Sequence, residues 1–101
     1  MRIYIAGPMT GLPDYNLPAF AKAKEVLDAL GHEGVNPGEP GVIDGYEWSD
    51  YVRDGLHLLL DCEGVALLDG WERSKGAQLE VHIARTLGMP VGKLVDWIMS
   101  D

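Results

Sequence analysis

Gly64-Val65-Ala66-Leu67-Leu68 is an uninterrupted apolar run that stops at Asp69-Gly70. A strand with one wet face alternates polar and apolar residues, whereas a strand covered on both faces reads as a continuous hydrophobic run. This segment therefore predicts a central strand of a parallel sheet. Residues 2–6 repeat the signal, being β-prone and mostly apolar before Gly7-Pro8 ends them. Between the two runs the period is helical: Phe20, Ala23, Leu27 and Leu30 recur at three- and four-residue steps, Pro18 suits a first turn, and Gly31 closes the helix. His32 to Asn36 reads as a short second strand, followed by a long loop from Pro37 to Gly45 with the length to cover a site. A second helix is expected over Trp48–Leu60, with Val52, Leu56, Leu59 and Leu60 inward and Gly55 weakening it. A third begins near Ser74, turns Leu79, Ile83, Ala84 and Leu87 inward and stops at Gly88. Pro90 to Leu94 makes a fourth strand, and the remainder is a helical tail. Strands alternating with helices of this length imply right-handed βαβ units and a three-layer α/β domain.

At 101 residues and 47% hydrophobic content the chain suits one domain with a core that needs no staples. Its net charge of -8 argues against a nucleic-acid polymer as partner, because phosphate binding draws on massed Lys and Arg. A small molecule fits better, with any anionic group held mainly by backbone N–H groups at turns and helix starts. The single cysteine, Cys62, excludes an internal disulfide or a cysteine metal cluster and fits a reducing cytoplasm. His32, His57 and His82 do not share a helix face as metal ligands would, and no metal or cofactor is expected. Neither a secretory leader nor a membrane span is visible, so a cytoplasmic protein is expected.

In an open parallel sheet, ligands gather at the carboxyl ends of the strands. There this chain puts three loops: Gly7-Pro8-Met9-Thr10-Gly11, the stretch from Asn36 to Gly45, and Asp69 to Ser74. The first has neither the GxGxxG spacing of a dinucleotide site nor the lysine of a P-loop, and reads either as a ligand loop or as an ordinary glycine turn. Ser74 is an N-cap for the third helix and also stands where a helix start can hold a phosphate or sugar hydroxyl. Glu80, one turn further in, is either a solvated residue or a carboxylate aimed at the pocket. Tyr4 is either core or a hydroxyl turned up into the site. Asp54 pairs with Arg53 or with solvent on the ordinary reading, and Asp69 caps its loop. Trp48 and Trp71 flank the loops, to stack on a base or to cover the core.

The segments IYIAGPMTG at the start, Arg53-Asp54, VALLDGW from Val65, and SKGAQLE from Ser74 together resemble the DUF4406 proteins, small proteins of phages and bacteria. That group is placed with the nucleoside 2-deoxyribosyltransferase-like superfamily, and the resemblance runs over about residues 1 to 93. It implies a Rossmann-like (flavodoxin-like) three-layer fold with about four to five parallel strands. It also implies a ligand pocket for a nucleoside or nucleotide, drawing on Gly7, Pro8, Met9, Thr10, Gly11, Asp69, Trp71, Ser74 and Gly76. Enzymes of the superfamily cleave the N-glycosidic bond of 2'-deoxynucleosides or their monophosphates. By resemblance Glu80 is the nucleophile, Asp54 the acid that assists the departing base, and Tyr4 the hydroxyl that steadies the nucleophile. A serine at position 74 favours a phosphorylated ligand.

Two functions follow as expectations. One is a 2-deoxyribosyltransferase or deoxynucleotide N-hydrolase working through Glu80, the other a binding protein that keeps the pocket without turnover. A homodimer or larger homo-oligomer is expected with either, by analogy with the superfamily.

Overall fold

The opening strand, β1 (Arg2–Ala6), has water on neither face from Ile3 onward, and its alternating side chains feed two separate cores. Ile3 and Ile5 pack with Phe20, Ala23 and Leu27, while Tyr4 and Ala6 pack with Leu59, Ala77, Val81 and Ala84. The structure, a computed structural model, describes residues 1–99. After β1 come α1 (Leu17–Ala29), β2 (Glu33–Val35), α2 (Trp48–Leu60), β3 (Gly64–Leu67), α3 (Lys75–Thr86), β4 (Val91–Lys93) and α4 (Leu94–Met99), with short 3-10 turns at Pro13–Asn16 and Trp71–Arg73. The four strands are parallel, in the order β2-β1-β3-β4. Helices α1 and α4 cover one face and α2 and α3 the other, which is the doubly wound, Rossmann-like arrangement.

Register follows from burial. Tyr4 stands opposite Val35 of β2 and Val65 of β3, and Ala6 opposite Leu67, so the apolar run of β3 lies against the apolar run of β1. The chain leaves β1 for β2 on one side and returns to β3 on the other. The crevice between β1 and β3 is thus the point where the winding reverses, and a ligand site is expected beyond their carboxyl ends.

Helix α2 spans the residues that its periodicity predicts. Two other expectations are corrected. α3 turns Ala77, Glu80, Val81 and Ala84 inward; of the expected stripe Ala84 is buried and Ile83 packs partly buried against the core, but Leu79 is 39% and Leu87 59% exposed. Small alanines let the helix lie close on the sheet, and close approach outweighs the larger apolar area that the leucines offer. Leu30 and Leu60 are also exposed, because each comes where its helix has run past the edge of the packed layer: Leu30 is the C-cap of α1, and Leu60 ends α2. No helix among the described residues is long and apolar enough to cross a membrane.

Candidate functional site

Beyond the carboxyl edge of β1 opens a cavity of about 510 Å³. Its floor carries the one buried carboxyl group among the described residues, Glu80, at 8% exposure. The local sequence explains how an acidic residue comes to face inward. Ser74 Oγ accepts the Ala77 N–H at 3.2 Å and so fixes the first turn of α3. Glu80 then falls three residues after Ala77 and four before Ala84, on the face that both alanines bury. From β1 the Tyr4 hydroxyl donates to Glu80 Oε2 at 2.5 Å, which leaves Oε1 to the cavity.

Burial disfavours the charged form of both groups. It raises Glu80 to about 7, with the Tyr4 hydrogen bond pulling in the opposite direction. Tyr4 is held well above the ordinary range by burial first and then by the charge and hydrogen bond of Glu80, so it stays protonated and remains the donor. Near neutrality Glu80 therefore exists both as a carboxylic acid and as a carboxylate.

The third partner at this contact is a glycine. A Cβ on Gly55 of α2 would lie 2.7 Å from Tyr4 Oη and 2.8 Å from Glu80 Oε2. The residue expected to weaken α2 is what lets the helix backbone close over the Tyr4–Glu80 pair.

The walls come from three loops. Gly7, Met9 and Thr10 line one side after β1, and Ser74 and Gly76 line another at the start of α3. The segment from Gly41 to Tyr46 forms a roof, with Trp48, Tyr51 and Val52 of α2 beside it. Tyr15 reaches the cavity from a turn in which Asp14, Tyr15 and Asn16 all have positive φ. Such a conformation costs non-glycine residues about 1–2 kcal/mol each. Asn16 offsets part of it by donating its side-chain N–H to the Pro8 carbonyl at 3.0 Å.

Of the residues singled out from the sequence, Tyr4, Gly7, Met9, Thr10, Ser74, Gly76 and Glu80 come together around this cavity. Pro8 lies in an adjoining groove of about 450 Å³, which shares Met9, Thr10, Trp48 and Ser74 with the cavity and adds Arg73 and Lys75. Gly11 and Asp69 are exposed and line neither space. Trp71 packs on the core beneath α3, with the Arg85 guanidinium 5.8 Å from its ring centre, so of its two roles it takes that of a core cover. Asp54 is exposed and stands outside the cavity, its Oδ2 accepting from the Tyr46 hydroxyl at 2.7 Å. Like Arg53 and His57, it lies on the exposed side of α2. Sequence reading missed Tyr15, Asp44 and Tyr46, which lie outside the regular helices and strands where no period marks a side chain, and Tyr51 in the first turn of α2. The one available signal was the density of Tyr46, Trp48 and Tyr51 just after a glycine-rich loop. No group of three metal-ligating side chains occurs among the described residues.

Two outcomes follow from the packed carboxyl. Gly55→Ala should lower stability by about 1–3 kcal/mol through overpacking, outweighing the roughly 1 kcal/mol that alanine gains in a helix. Gly76→Ala, whose Cβ would meet nothing nearer than Val52 Cγ2 at 3.6 Å, should leave Tm nearly unchanged. The second outcome concerns pH. The proton on Glu80 is bound more tightly in the folded chain, at about 7, than in the unfolded chain, at 4.5. Its contribution is thus complete below the unfolded value and lost as pH rises through the folded one, a change on the order of 3 kcal/mol. Urea unfolding at pH 5 and pH 8 should show the parent losing stability relative to Glu80→Gln across that interval.

The comparisons with known proteins agree with this architecture. A family model described as a domain of unknown function, DUF4406, matches residues 1–93. No curated protein sequence matches the chain. Among solved structures the chain is similar to a 2-deoxyribosyltransferase from the psychrotolerant bacterium Bacillus psychrosaccharolyticus, described as a biocatalyst for the synthesis of nucleosides. The TM-score is 0.69 and the identity 22%, over 90% of this chain and 69% of that one. At that identity the likeness is one of fold. The chain belongs to the DUF4406 family and has the Rossmann-like fold of a 2-deoxyribosyltransferase.

Proposed function

We propose that this protein breaks the N-glycosidic bond of a 2'-deoxynucleoside 5'-monophosphate, with Glu80 as nucleophile. The observation that carries the reading is the Tyr4–Glu80 pair buried in the floor of a cavity of about 510 Å³. As the bond between C1' and the base nitrogen breaks, its electron pair leaves with the base, which takes up a proton from water, and positive charge builds on the sugar. A carboxylate beneath C1' stabilises that charge and bonds to it, as in retaining glycosidases. Water then releases the sugar in a hydrolase, or a second base in a transferase. Tyr4 holds Oε2 so that Oε1 is aimed, and Glu80 reacts in its ionised form, which grows as pH rises past about 7. Support for a phosphorylated ligand comes from the adjoining groove, where Arg73, Lys75 and the capped start of α3 gather positive charge in an acidic protein. In this reading a second copy of the chain covers the open side near Trp48.

A second reading is a nucleotide-binding protein without turnover. Two observations favour it: Glu80 is only partly ionised at neutrality, and Asp54, the acid that the resemblance assigns to the leaving base, is outside the cavity with its carboxylate on Tyr46.

Incubation with deoxynucleosides and their 5'-monophosphates, followed by chromatography for free base, tests both. The enzyme reading expects base release that Glu80→Ala lowers by roughly a thousandfold or more, the scale of losing a catalytic nucleophile. Tyr4→Phe should cost roughly 10- to 100-fold, the worth of a hydrogen bond to a charged group. A nucleotide that raises Tm while no base appears would sink the enzyme reading and leave the binder.

A further inference from the structure

The roof of the cavity hangs from α2 by two tyrosines. Tyr51 Oη accepts the Ile43 N–H at 2.8 Å and donates to the Ile43 carbonyl at 3.3 Å. Three residues on, the Tyr46 hydroxyl donates to Asp54 Oδ2 at 2.7 Å, and the two rings meet edge to face at 4.9 Å. Between these anchors the chain makes a tight turn. The Tyr46 N–H bonds back to the Ile43 carbonyl at 3.1 Å, and Gly45 sits at a φ of 84°, the left-handed value that a type II turn demands at its third residue. Asp44 occupies the second position of the turn and lines the cavity. Asp54 therefore touches the cavity only through Tyr46 and this turn.

The two anchors differ in strength. Tyr51 is partly buried and makes two bonds to one residue, whereas Asp54 and Tyr46 are both exposed and share one bond. A hydrogen bond in contact with water is worth little, so the outer anchor is the one that yields first. That makes it a latch, with Tyr51 as the hinge side.

We propose that Asp54 is a positioning residue, which by holding Tyr46 keeps the Ile43–Tyr46 turn closed over a small molecule in the cavity. Its kinetic consequence rests on the nucleotide reading above, but the latch itself does not. A latch and a proton donor are separable. If Asp54 acts through Tyr46, removing either partner breaks one and the same contact, and removing both adds nothing. A donor acting on the base would be indifferent to the Tyr46 hydroxyl.

The experiment is hydrogen exchange at the backbone amides of residues 43–46 in the full chain. Asp54→Ala and Tyr46→Phe should each speed exchange about fivefold, as expected for one hydrogen bond near solvent. The double variant should match either single one. Asp54→Asn, whose amide oxygen still accepts from Tyr46, should recover most of the protection. Unchanged exchange in either single variant, or additive effects in the double, overturns the proposal. In the base-release assay Asp54→Ala and Tyr46→Phe should share one KM and one kcat. A kcat loss in Asp54→Asn or Asp54→Ala that Tyr46→Phe does not share overturns the latch and returns Asp54 to the chemistry. If the parent releases no base, the nucleotide reading fails on its own and hydrogen exchange alone decides the latch.

Discussion

A carboxyl group taken out of water costs several kcal/mol unless it keeps its proton or finds a donor, and much of this fold is arranged around one that does both. Glu80 meets the Tyr4 hydroxyl, a residue 76 positions away in the chain, at the contact between the central strand and α3. For the two atoms to meet, Tyr4 must point to the α2/α3 face of β1, which the pleat allows only if Ile3 and Ile5 point to the other. α3 must start at Ser74, since a cap one residue off would turn Glu80 by about 100° around the helix. α2 must come close without a side chain, which is the part of Gly55. Strand face, helix start and helix approach are thus coupled through one short hydrogen bond.

That bond also joins architecture to chemistry. The winding reverses between β1 and β3, so the loops that follow them diverge and leave a crevice, and Glu80 lies at its base. Elsewhere the acidic surface disfavours anions. Near this crevice the balance is local, with Arg73 and Lys75 beside the N-terminus of α3 where backbone N–H groups are unsatisfied. A net charge of -8 and a local cluster of positive charge are compatible because screening confines each charge to its surroundings.

The two carboxylates at the centre of the resemblance have different fates. Glu80 is enclosed by helix and sheet and its proton is held by burial. Asp54 stands on the outer side of α2, where water competes for it, and bonds to a tyrosine of the roof. Residue type alone does not distinguish them. Both are acidic residues on amphipathic helices, and only the rotation of each helix against its neighbours separates a dry site from a wet one.

Much of the fold was legible in the residues. The apolar run at Gly64–Leu68 and the shorter one at the start announce strands covered on both faces, α2 begins and ends where its periodicity says, and Ser74 marks the start of α3. These are local properties, set by side-chain period, capping and turn chemistry within a few neighbours. The inward face of α3, the outward turn of Asp54, the closeness that Gly55 permits and the tyrosines that pin residues 43–46 were decided by tertiary contacts. Leu79 and Leu87 looked like core and are exposed, since the sheet selected the alanine face for its closer fit. Which face a helix buries, and which loop residue reaches a cavity, depends on the shape of a partner that folds from distant residues, and no short window of sequence contains that shape.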